Sequence, residues 1–94
     1  MSIVKDMALT LADFKRGLGA ALHGLDYRVD GNQVVVGDAE RSVHIEVTPL
    51  PPRRLGGLFV VEHAEVRIDF QNYDAAEQQA FLKQFDQAYQ RGGG

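Results

Sequence analysis

Residues 27–36, YRVDGNQVVV, decide the fold, because they predict a β-hairpin whose turn determines on which face of the sheet each side chain lies. Gly31 and Asn32 suit a two-residue loop, since glycine supplies the positive φ that a type II′ turn needs. The turn then sets three cross-strand pairs: Asp30 with Gln33, Val29 with Val34, and Tyr27 with Val36. Arg28 and Val35 are expected on the opposite side.

Strict alternation of apolar and polar residues continues the sheet into residues 42–48, SVHIEVT. This pattern is typical of a half-buried strand. A turn that places Val36 against Val43 also places Val34 against Ile45, so two separate turns agree on which face is the core. The opposite face then carries His44 beside Val35.

Residues 49–57 contain three prolines and two glycines, which predicts a surface loop, because proline removes ladder donors. In the strand that follows, at 58–70, every second residue toward the C-terminal end is apolar. If this alternation continued backwards without a break, it would bury Glu62. A β-bulge near Glu62 and His63 resolves this by turning Phe59 and Val61 inward. The alternative is a straight strand with Leu58 and Val60 inward and Glu62 at a wet edge.

Apolar residues at steps of three and four predict a helix over residues 11–25, with Thr10 as N-cap and Asp13 near its positive end. Gly17 and Gly19 interrupt it. A helical glycine indicates a close approach, so we expect the sheet or the second helix to press there.

Asp74 and Glu77 have the spacing of a capping box and open the second helix. Its apolar stripe consists of Phe81, Leu82, Phe85, Ala88 and Tyr89.

The element order predicts the α+β class: a two-layer sandwich, α-β-β-β-β-α, with a four-stranded antiparallel meander and both helices on one face. Two helices, each about 10 Å across, cover a sheet about 15 to 20 Å wide only once. The other sheet face is therefore expected to be open. The 94 residues suit a single domain over 1–94, with 1–8 and 92–94 flexible.

Composition removes several classes of function. The chain has no cysteine, which excludes disulfides, thiolate metal sites and thiol nucleophiles, and favours the cytoplasm. A net charge of −3 without a basic run indicates neither nucleic acid nor a membrane as partner. No catalytic or cofactor motif is present, so we expect no cofactor and a non-enzymatic role.

The remaining interpretation is a protein-interaction or accessory module that uses the open sheet face and the 49–57 loop, with a protein partner or as a homodimer. The long strand at 58–70 would pair with its symmetry mate if it lay at an edge. The candidate partner-binding residues are Val35, His44, Glu46, His63, Glu65, Arg67, Arg53 and Arg54.

An alternative interpretation is a small ligand- or metal-binding domain centred on His44 and His63. The predicted register brings His44 close to Glu62 or His63. Glu46, Glu62 or Glu65 would then complete the donor set.

Overall fold

Two helices pack on one face of a five-stranded antiparallel sheet in the computed structural model, which describes residues 2–57 and 59–92. The sheet order is β1-β5-β4-β3-β2. The elements are β1 (Ser2–Met7), α1 (Leu11–Ala21), β2 (Tyr27–Asp30), β3 (Gln33–Gly37), β4 (Ser42–Leu55), β5 (Phe59–Gln71) and α2 (Ala75–Gly92). The α+β class with both helices on one face is thus confirmed.

The predicted number of four strands is wrong, because residues 2–7, expected to be flexible, form β1 at the edge beside β5. Apolar alternation does not reveal this strand, since Lys5 lies between Ile3 and Met7 in the row that faces the helices. An inward lysine is tolerated on that face because its Nζ pairs with an Asp86 carboxylate oxygen of α2 at 3.2 Å. The final glycines, Gly93 and Gly94, lie outside the described residues.

The register of the two predicted hairpins is confirmed at every pair named from the sequence. Gly31 has a φ of +61°, as the proposed turn requires. The turn is also held from outside, because the Asn32 side-chain amide donates to the Val47 carbonyl at 2.8 Å and the Val47 N–H donates to the Asn32 carbonyl at 2.9 Å.

The predicted loop at 49–57 is wrong over most of its length, because β4 continues through the prolines to Leu55. The last pair between β3 and β4 joins Gln33 to Glu46, so the prolines come after β4 has lost that neighbour. Proline is tolerated where one side of a strand needs no donors.

A β-bulge does occur at Glu62, but the extra residue is in β4 and not in β5 as predicted. Leu50 pairs with His63 and Arg53 with Val61, so two prolines of β4 oppose the single residue Glu62. The side chains of β5 itself alternate between the two sheet faces without interruption. Neither Phe59 nor Val60 reaches the core, since both are exposed, and Leu58 lies outside the described residues.

The core consists of apolar side chains from both layers, and its largest members are Phe14, Phe85, Leu18, Leu22, Ile45 and Ile68. α1 begins at the predicted cap, where Thr10 and Asp13 form a reciprocal capping box. It ends at Ala21, earlier than predicted. The caps of α2 are confirmed, because the Asp74 N–H donates to Glu77 Oε1 at 3.0 Å and the Glu77 N–H donates to Asp74 Oδ1 at 2.8 Å.

The close approach expected at Gly17 is confirmed, with the Tyr89 ring of α2 as the neighbour. A Cβ on Gly17 would lie 2.6 Å from Tyr89 Cε1, whereas a Cβ on Gly19 would meet nothing within 4 Å. The Tyr89 ring has little freedom to retreat, because it stacks on Phe14 at 5.4 Å between centroids and its hydroxyl donates to the Phe14 carbonyl at 2.6 Å. Burial raises the pKa of Tyr89.

Among the described residues, no helix has the length and apolarity that crossing a membrane requires.

We expect Gly17→Ala to lower the free energy of unfolding by about 1 to 3 kcal/mol, because the added methyl collides with a ring held on two sides. The matched control is Gly19→Ala, which should raise stability by up to about 1 kcal/mol through helix propensity alone. Urea unfolding followed by circular dichroism measures both. Equal stabilisation by the two variants would mean that the contact at Gly17 is not tight.

Candidate functional site

The sheet face that points away from the helices, called the open face here, carries a grid of polar side chains. One row across the strands contains Arg28, Val35, His44, Asp69 and Ser2. The next contains Asp30, Gln33, Glu46, Arg67 and Val4, and a third contains Thr48, Glu65 and Asp6. Five of the predicted partner-binding residues, Val35, His44, Glu46, Glu65 and Arg67, lie in these rows. A sixth, His63, lies on the same face one row beyond them, opposite Leu50.

The open face is acidic in balance. Its carboxylates belong to Asp6, Asp30, Glu46, Glu65 and Asp69, and its guanidiniums to Arg28 and Arg67. Opposite charges stand directly across from each other where Glu46 pairs with Arg67, an arrangement that favours the sheet. Val35 is half-buried among these groups. The face therefore offers carboxylates around a small apolar centre.

The second surface is a two-stranded arm, which consists of residues 50–57 and 59–63. β1 stops pairing at Met7 with Ala64, so within the described chain β4 and β5 run on beyond that level with only each other as partners. The molecule is elongated, with principal extents of 48 × 24 × 22 Å. Within the described chain neither edge of the arm therefore has a strand partner, and most of its side chains are exposed.

The arm carries apolar and basic side chains together. Phe59 is 70% exposed and Val60 57% exposed, the two highest values among the exposed large hydrophobic residues that the structure describes. Arg53 pairs with Val61 and Arg54 with Val60, so the two guanidiniums lie on opposite faces of the ribbon. Phe59 lies on the same face as Arg53 and Val60 on the same face as Arg54, so each face combines an exposed apolar side chain with a guanidinium. Such a combination is suited to a protein partner that carries carboxylates.

Three side chains join the arm to the body of the sheet. His63 Nδ1 lies 3.0 Å from Asp6 Oδ1 of β1, and the Arg53 guanidinium donates to Asp6 Oδ2 at 3.1 Å. His63 Nε2 lies 2.9 Å from the carbonyl oxygen of Pro51 in the bulge. Both ring nitrogens thus face acceptors, and only the protonated imidazole can donate to both.

The electrostatics of this junction act mainly on Asp6. The hydrogen bond from His63, followed by the charges of His63 and Arg53, lowers the pKa of the Asp6 carboxyl below its ordinary value of 3.8. Sequence reasoning missed Asp6, because it assigned residues 1–8 to a flexible segment and residues 49–57 to a loop. With β1 and the arm part of β4 both unpredicted, no register linked position 6 to positions 53 and 63.

The predicted closeness of His44 to Glu62 or His63 is wrong. His44 pairs with Asp69 and His63 with Leu50, six residues farther along β5, which separates the two imidazoles by about 20 Å. One ion cannot contact both. Within residues 2–57 and 59–92, no group of three or more histidine and carboxylate side chains is placed to hold a metal ion.

A groove of about 930 Å³ separates the ends of the helices from β1. Its charged groups are already paired: Lys5 with Asp86 at 3.2 Å, Arg16 with Asp13 at 3.0 Å, and Asp6 with Arg53 of the arm at 3.1 Å. Gly17 and Tyr89 also line it. The groove therefore offers no unsatisfied acid or base for catalysis.

We expect Asp6→Asn to loosen the arm and to lower the thermal midpoint by less than about 5 °C at about pH 6, since exposed ion pairs contribute little. Because the pKa of Asp6 is depressed on folding, its charge stabilises the native state above pH 3.8 and this contribution disappears as the pH falls through the folded value. The difference between wild type and variant should therefore vanish in acid.

The matched control for this prediction is Glu62→Gln, which removes one negative charge from the exposed side of the arm. Thermal unfolding from about pH 2.5 to 6 should show no comparable pH-dependent loss for this variant. A stability difference between wild type and Asp6→Asn that stays constant over this range would contradict a role for the carboxylate charge.

Comparison with known proteins gave no match at any of three levels: no protein-family model, no curated protein and no solved structure matches the chain.

Proposed function

We propose that this chain is a protein-interaction or accessory module that engages a protein partner through the arm and the adjoining open face. The observation that supports this most is the exposure of Phe59 and Val60 on a regular, hydrogen-bonded ribbon. Each of these apolar side chains stays in water and so does not contribute the roughly 1.5 to 3 kcal/mol that its full burial would provide. A partner that covers them recovers that free energy.

The chemistry of the arm indicates what kind of partner it fits. On each face of the ribbon an exposed apolar side chain accompanies a guanidinium, that of Arg54 or that of Arg53, which also pairs with Asp6. The complementary surface is therefore an apolar group bordered by aspartate or glutamate. The open face has the opposite balance. A partner that reaches from the arm to His44 and Glu46 would therefore present carboxylates to the arm and basic groups to the sheet.

The junction supports this proposal mechanically. Two strands alone form a marginal structure in water. The contacts from Asp6 to His63 and Arg53 connect the ribbon to a third strand at its base, and this limits the orientations that the arm can sample. A preorganised arm loses less entropy on binding than a free loop would.

The test is affinity capture with the purified chain followed by quantitative binding to each captured protein. We expect the double variant Phe59→Ser, Val60→Ser to weaken binding at least about 30-fold, as truncation of central apolar contacts does. Val35→Glu should weaken it as well if the partner extends over the open face. These substitutions leave the core intact, because none of the three side chains is fully buried.

The matched control is Lys83→Ser, an exposed residue of α2 on the opposite layer. It should bind like wild type. If all captured proteins bind the arm double variant, the Val35→Glu variant and wild type with equal affinity, the proposal is wrong.

A further inference from the structure

The other end of the sheet has a different open edge, formed by β2. In the part of the chain that the structure describes, β2 has β3 as its neighbour on one side and no strand on the other. The Gly37 N–H donates to the Asp26 carbonyl at 2.9 Å, and the two-residue turn makes Asp30 and Gln33 a hydrogen-bonded pair. Even-numbered residues therefore bond to β3, and the backbone groups of Tyr27 and Val29 point outward.

The side chains at this edge are apolar on the helix side. Leu25 is 40% exposed, Tyr27 37% and Val29 44%. Tyr27 and Val29 lie on the same side as the buried Val36 and Val34 with which they pair. The core row of the sheet thus ends in apolar side chains that are only half covered.

The two edges of the sheet differ in their protection. At β1 the helix-side row includes Lys5, and an inward-facing charge of this kind discourages pairing with another strand. At β2 both helix-side residues are apolar. Extension of the sheet is therefore favoured at β2 and opposed at β1.

The charges on the open face of β2 are complementary under a twofold axis. In an antiparallel pair centred on Val29, Arg28 of one copy stands opposite Asp30 of the other, and the reciprocal pair forms at the same time. The N–H and the carbonyl group of Val29 then both point toward Val29 of the other copy. A pair centred on Arg28 would instead place two guanidiniums against each other, which is repulsive.

We propose that two copies of this chain associate through antiparallel pairing of their β2 strands, with Val29 at the twofold axis. The two sheets become one continuous sheet, and Leu25, Tyr27 and Val29 of both copies form an apolar strip on its helix side. This replaces the route through the long strand at 58–70, since β5 is paired on both sides, with β1 and β4, from Ala64 to Asp69.

The interface is short, so we expect a dimer with a dissociation constant of about 10 to 100 µM. Sedimentation equilibrium of the purified chain at low ionic strength, over about 5 to 500 µM, should show a monomer–dimer equilibrium. A wild-type chain that stays strictly monomeric at the highest concentration would overturn the proposal.

Charge reversal tests the pairing itself. Arg28→Asp and Asp30→Arg, each alone, oppose like charges and should weaken the dimer at least about tenfold, whereas the double variant should restore it. Circular dichroism and thermal midpoints confirm that each variant is folded. A double variant no stronger than the singles, or rescue of Arg28→Asp by Asp26→Arg instead, would overturn the pairing centred on Val29.

This proposal stands apart from the function proposed for the arm. Phe59→Ser, Val60→Ser should leave the monomer–dimer equilibrium unchanged, because these residues lie on β5, three strands away from β2 in the sheet. Loss of the dimer in the arm variant would place the contact between copies on the arm and would exclude the β2 interface.

Discussion

One cross-strand row of apolar side chains constrains the rest of this structure. Ile3, Ile68, Ile45 and Val34 stand side by side on four neighbouring strands, beneath the helices. Ile68, Ile45 and Val34 are fully buried, and each gains about 1.5 to 3 kcal/mol from that burial. A slip of one residue in any strand would turn that strand's inward side chains outward, so the row holds every register in place. The same registers assemble the charged grid on the other side.

The sequence predicted the part of the fold in which a turn and an alternation agree. Gly31 fixed the first register, the valines and Ile45 fixed the second, and both are found in the structure. It did not predict β1, because a single inward lysine breaks the pattern that identifies a strand. The pairing of Lys5 with Asp86 is a tertiary contact and leaves no local signal.

The arm shows a second limit of local reasoning. Prolines argue against a central strand, and that rule is sound, but a ribbon with only two strands has no centre. Pro51 and Pro52 occupy the bulge, where one extra residue interrupts the ladder anyway. Because residues 49–57 were expected to form a loop, Asp6, the common partner of Arg53 and His63, was missed.

The pairing of β1 with β5 has a consequence for how the protein is made. Ser2 and Asp69 lie side by side but 67 positions apart in the chain. At about 5 to 20 residues per second, a ribosome would need roughly 3 to 13 s to add that interval. β1 leaves the exit tunnel ahead of β5 and waits through that interval for its neighbour. Such non-local closure is slow, so the nascent chain exposes Ile3 and Met7 to chaperones until β5 arrives.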